Sequence, residues 1–220
     1  MALQKKYTVF GIIGCLCFGI GDWLLGYVNP ASVGEDVFYF IREGHGMGYD
    51  LSKAAVTLVL AMVGMCFLYP GFVHISDIAD NEDTKHSLGY AFGLCSAGWL
   101  ALHILVSLNV IVFSQAEQCG GRELALALSA GLGNAGMGTL CVIFLLIGVP
   151  LLKLIIDILR RKTCLKRTAV FFSPIVPMAV IFVAAQLLPQ SPFSYGLYTF
   201  CMNGGMLVWF VYLLTVNWKG

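Results

Sequence analysis

Apolar residues fall in six long stretches, at about 7–28, 52–76, 88–113, 124–159, 169–188 and 195–217. None alternates apolar and polar positions, and each far exceeds the ~10 residues that a strand of a membrane barrel needs. The pattern predicts α-helices of bilayer-spanning length. The expected fold is therefore all-α, a bundle of six transmembrane helices forming a single domain over residues 1–220. The stretch after Lys5 and Lys6 has no convincing cleavage site and is read as a retained first span.

The fourth stretch is too long for one crossing. From Leu124 to Leu159 a helix would measure about 54 Å, against a hydrocarbon core of about 30 Å. A break at Gly131–Gly136 and a protrusion beyond Pro150 are both expected, which leaves 133–159 as the spanning part. Lys153 and Asp157, four apart on the protruding end, are placed to pair.

Basic residues set the orientation. Arg160, Arg161, Lys162, Lys166 and Arg167 make the fourth connection the most basic and assign it to the cytoplasm. An even number of spans then puts both termini inside, with a bacterial inner membrane as the expected location. The acidic second connection (Asp77, Asp80, Glu82, Asp83) falls on the same side. The first connection, about 29–51, carries the aromatic run Val37–Ile41 and the turn Gly44–Gly48. It is read as an interfacial segment with a linker, or as a lid over an outward-facing pocket.

Composition agrees with this picture. Hydrophobic residues make up 59% of the chain and charged residues 11%, less than half of the ~25% typical of soluble domains. A net charge of +1 gives no electrostatic basis for nucleic-acid binding. Of the eight cysteines, six lie in apolar runs; Cys119 and Cys164 fall in connections on opposite sides, so no disulfide framework is expected.

Ionisable and polar groups at membrane depth are the main pointers to function. Asp22 is expected roughly 9 Å, His103 roughly 15 Å and Asn203 roughly 12 Å below the outer boundary. The three belong to three different helices but to one layer of the outer leaflet. Gly11, Cys15, Gly19, Asp22 and Gly26 form a small-residue stripe that should face a neighbouring helix. Ser96, Trp99, His103 and Ser107 share one face of the third helix by their spacing, and Asn203 is followed by Gly204 and Gly205.

The cluster has three readings. As a catalytic pair, His103 is general acid or base and Asp22 orients it. As a binding site, Asp22 and His103 with Trp99, Asn203, Ser107 and Asn134 hold the polar end of a lipid-like or apolar small molecule. As a structural element, the same contacts join helices. No metal site is assigned: Asp22 and His103 supply two ligands, and Glu35, Asp36, Glu43 or His45 would have to complete a set. His74, near the inner end of helix 2, is too distant to join them. It is read as a helix-end residue, with a cytoplasmic site of His74, Asp77 and Tyr69 as the alternative. No P-loop, G-x-S-x-G, H-E-x-x-H, EF-hand or potassium-filter motif is present.

Gly21-Asp22-Trp23-Leu24-Leu25-Gly26, Leu68-Tyr69-Pro70-Gly71-Phe72-Val73-His74 and Gly98-Trp99-Leu100-Ala101-Leu102-His103 together resemble an uncharacterised bacterial family of six-helix membrane proteins. That family carries a Gly-Asp in helix 1, a G-F-x-H ending helix 2 and a His in helix 3. The resemblance implies a fold and no activity. A fainter likeness is to seven-helix membrane hydrolases related to alkaline ceramidases, from which this chain departs in helix number and in lacking paired histidines in a late helix. The expected partners are membrane lipid and an apolar small molecule.

Overall fold

The structure is a computed structural model that describes residues 5–27 and 51–216, apart from the side chains of 129, 130 and 132–137. The first connection, with its aromatic run, its lid reading and Glu35, Asp36, Glu43 and His45, lies outside the described residues, as does the side chain of Asn134.

Helix α1 spans Lys5–Gly26 and α2 spans Leu51–Val73, which tightens into a 3-10 turn over His74–Ile78. A helical stretch then covers Glu82–Leu159 and is broken once, at Gly121, where φ is 80° and ψ 176°. That positive φ favours glycine, and it divides the stretch into α3 (82–120) and α4 (122–159). A 3-10 turn, Arg167–Phe172, leads to α5 (Ile175–Leu187), and α6 (Pro192–Thr215) completes the described bundle. Local signals explain two of the starts. Asn81 caps α3 by accepting from the Thr84 N–H at 2.8 Å, and α6 opens on a reciprocal Ser191–Ser194 capping box with Pro192 at its first turn.

The described residues are helical apart from short connections and one isolated bridge, with several long apolar helices of the kind that build membrane bundles. Among the described residues, five helices are long and apolar enough to cross a bilayer. The exception is α5. Its 13 residues measure about 20 Å against a core of about 30 Å. The single span expected at 169–188 is instead a 3-10 turn followed by this short helix, because Pro174 and Ser173 interrupt the run. The break expected at Gly131–Gly136 is also corrected: the backbone there is helical, and the chain bends at Gly121. Cys119 accordingly sits in the last turn of α3 rather than in a loop. The Lys153–Asp157 pair forms, at 2.6 Å, with Asp157 buried.

Three contacts gather the chain's turning points on one face. Tyr7 at the start of α1 stacks on His74 at 3.6 Å between ring centroids. Ala79 and Thr163 form an antiparallel bridge, with Asp80 N–H donating to the Lys162 carbonyl (3.0 Å) and Cys164 N–H to the Ile78 carbonyl (2.9 Å). Phe172 stacks on Tyr212 near the end of α6 at 4.6 Å. The second and fourth connections therefore lie side by side, as their sequence assignment to one side requires.

The bridge also sets the chemistry of Cys164. Partial desolvation of its thiol, on a residue that is otherwise exposed, and the nearby Asp80 carboxylate push its pKa up to about 11. Because the thiolate is the reactive form, alkylation of Cys164 should accelerate about tenfold per pH unit from pH 7 to 10. Peptide-level mass spectrometry after timed iodoacetamide exposure checks this; a rate that levels off near pH 8.5 would show that the bridge does not hold the thiol in this environment.

Candidate functional site

Helix α1 lies between α2 and α6, and glycines allow both approaches. A Cβ at Gly14 would stand 2.7 Å from the Leu68 backbone nitrogen, and one at Gly71 would stand 2.7 Å from Gly11 Cα. Gly11, Gly19 and Gly26 turn instead toward α6, against Phe210, Phe200 and Thr199 with the Tyr195 carbonyl respectively. The small-residue stripe thus faces a neighbouring helix. Below the polar layer, Phe72 joins α2, α3 and α6, with ring centroids 5.6 Å from Trp99 and 6.3 Å from Phe210. These contacts give the Gly71-Phe72-x-His74 sequence physical content: close approach of α1, a core aromatic, and the ring on which Tyr7 stacks.

Directly above this core Asp22, Trp99, His103 and Asn203 meet. His103 Nε2 is 3.1 Å from Asp22 Oδ1. The Asn203 amide nitrogen donates to Asp22 Oδ2 at 2.5 Å, and its oxygen accepts from Trp99 Nε1–H at 3.0 Å. His103 Nδ1 lies 2.7 Å from the Trp99 carbonyl. Phe18 covers the imidazole, 4.4 Å between centroids.

Donor and acceptor chemistry fixes the assignment. An indole N–H can only donate, so Asn203 must turn its oxygen to Trp99 and its NH2 to Asp22. A carbonyl can only accept, so His103 Nδ1 carries hydrogen. One hydrogen between His103 Nε2 and Asp22 Oδ1 joins the two groups, and with it the pair carries no net charge whichever atom holds it. The Asn203 amide nitrogen, which donates to Oδ2, also lies 3.2 Å from that Nε2. Neutrality of the pair is what burial among apolar helices requires.

The network is closed on the inside and open at one edge. Asn203 is fully buried and the His103 side chain is 5% exposed, whereas that of Asp22 is 13% exposed. Asp22 is therefore the member that a molecule outside the network can reach. Its backbone is held too, since its carbonyl accepts from the Thr199 hydroxyl at 2.7 Å. The preceding Gly21 carbonyl accepts from Thr57 at 3.1 Å.

Four of the residues expected from the sequence are thus in mutual contact. Ser107 is buried one turn beyond His103, and its hydroxyl has no partner among the described residues. Sequence reading missed Thr199 and Phe18. Each lies four residues before a recognised member, Asn203 or Asp22, so the same helical spacing would have found them. His74 instead pairs with Asp77, Nδ1 to Oδ2 2.9 Å, and its neighbour is Tyr7; Tyr69 is 52% exposed. Among the described residues, no three His, Cys, Asp or Glu side chains come together as metal ligands would.

These features define a class: an all-α protein of long apolar helices with a polar network buried where three helices meet. Residues 1–219 match the family of unknown function DUF6796, and the chain belongs to that family. No curated protein and no solved structure matches it.

Proposed function

We propose that this is an integral membrane protein that binds a lipid-like or other apolar small molecule by its polar end, at the Asp22 edge of the Asp22–His103–Asn203–Trp99 network. One observation carries the reading: the network is paired internally, yet Asp22 at its edge stays partly exposed. A ligand hydroxyl or amine can donate to that edge without breaking the contacts behind it. Asn203 and Trp99 hold the carboxylate in place, and His103 balances its charge. Ser107, whose buried hydroxyl has no partner among the described residues, is the next polar group along the same face of α3. The basic fourth connection supports a reading with the stitched face and both chain ends on the cytoplasmic side and the network in the outer half of the membrane, taken as a bacterial inner membrane.

Acid–base chemistry is the second reading, carried by the 3.1 Å contact through which His103 Nε2 and Asp22 Oδ1 can share a hydrogen. Both ring nitrogens of His103 are engaged, so a substrate would exchange protons with Asp22, and His103 would supply and store the proton behind it.

Native mass spectrometry of the purified protein, wild type beside Asp22→Asn and Asp22→Leu, tests the binding reading. A retained mass in the wild type, weakened by at least about tenfold in Asp22→Leu, is the expected result. Identical bare masses in all three proteins, each still folded in detergent, would reduce the network to a helix-joining element.

A further inference from the structure

A second feature lies at the opposite end of the bundle. The short α5 leaves the inner part of α6 uncovered, and there an open groove of about 550 Å³ runs along Leu207, Val208, Val211, Tyr212 and Thr215, closed on one side by Phe172. Its lining is almost wholly apolar. Phe172, 45% exposed, ends the Arg167–Phe172 turn and is fixed by stacking on Tyr212. Five residues earlier, about 10 Å at the rise of a 3-10 helix, that turn begins at Lys166 and Arg167. Arg160, Arg161 and Lys162 lie in the same connection, and all five basic side chains are exposed.

The acidic residues on this face do not cancel them. Asp77 is engaged by His74, Asp157 by Lys153, and Glu82 stands 3.9 Å from Lys85. Asp80, on the bridge beside Cys164, and Asp83 remain against five bases. An apolar groove thus has at its side one end of a single 3-10 turn whose other end carries Lys166 and Arg167.

We propose that this groove is a binding site for one anionic phospholipid of the inner leaflet, with an acyl chain along α6 against Phe172 and its phosphate at Lys166, Arg161 and their basic neighbours. The inference rests on membrane embedding but not on the Asp22 site. Bound lipid would fill the volume that the short α5 leaves beside α6, and so would complete the bundle where the protein's own helix stops.

The test is native mass spectrometry of protein released from nanodiscs of equal phosphatidylglycerol and phosphatidylcholine. Each basic side chain near an anionic headgroup is worth about fivefold in affinity. Arg161→Gln with Lys166→Gln should therefore lower the phosphatidylglycerol preference by roughly twenty-five-fold. Val211→Trp, which fills the groove, should remove the adduct of either lipid. Leu187→Trp, a change at an exposed apolar position on α5 (81% exposed), should alter neither and serves as the control for folding. Equal retention of both lipids by the wild type, or an unchanged preference in Val211→Trp, would overturn the proposal. Asp22→Leu should leave the phosphatidylglycerol adduct intact, so failure of the outer site and failure of this one give different spectra.

Discussion

His103→Ala should destabilise the folded protein by about 2 kcal/mol, and Asp22→Asn should recover part of that loss when the two are combined. The alanine leaves the Asp22 carboxylate with Asn203 as its remaining side-chain partner. Breaking a buried pair in a soluble protein costs about 3–5 kcal/mol when the surviving charge is stranded. Here the surviving acid can take a proton, and interhelical hydrogen bonds in membranes average only about 0.6 kcal/mol. The smaller figure follows. Asn in place of Asp removes the stranded charge while keeping a side chain that can hydrogen-bond Asn203, so the double variant should lose less than the sum of the two single variants. A coupling of about 1 kcal/mol is expected for residues in direct contact. Unfolding titrations of the four proteins in mixed detergent micelles measure it. Strict additivity would mean that His103 and Asp22 do not act on each other.

Gly71→Ala should cost about 1–3 kcal/mol, the range of overpacking in a tight interior. The new methyl would meet Gly11 Cα at 2.7 Å and Gly11 N at 2.9 Å, with the Tyr7 carbonyl at 3.2 Å. All three are backbone atoms, so no rotamer change can make room, and α1 must move bodily away from α2. Gly93→Ala is the matched comparison. Its Cβ would meet nothing within 4 Å, and helix propensity should make it neutral or stabilising by up to about 1 kcal/mol. Thermal midpoints of the two variants in the same detergent should move in opposite directions or differ widely. A tolerated Gly71→Ala would show that α1 and α2 do not pack this closely.

Much of this was legible in the sequence, and the reason is the strictness of the solvent. In a long apolar helix a polar side chain must find partners within the protein, so Asp22, His103 and Asn203 stood out by type and position. Helical rise put them in one layer, and the small-residue stripe and the shared face of Trp99 and His103 pointed them at neighbouring helices. Trp99 was found because helical spacing puts it on the His103 face. What was missed depended on the path of the backbone. The bend at Gly121 rather than at Gly131–Gly136 could not be read from glycine count, since a single positive φ suffices and several glycines nearby are helical. The short α5 was hidden because Ala169 to Phe172 is as apolar as the helix that follows. Only the 3-10 turn separates them. The pairing of residues 79 and 163 is a long-range contact between two irregular segments, for which no periodicity exists.

That pairing constrains how the protein can change shape. Tyr7 on His74, Ala79 with Thr163, and Phe172 on Tyr212 fasten α1 to α2, one connection to another, and the approach to α5 to the end of α6. The bundle is therefore bound along one side like the spine of a book. Toward the far end of α1, one turn before its last residue, two side-chain hydroxyls act as clasps: Thr199 on the Asp22 carbonyl and Thr57 on the Gly21 carbonyl. A swing about that spine would have to undo both clasps beside the polar network.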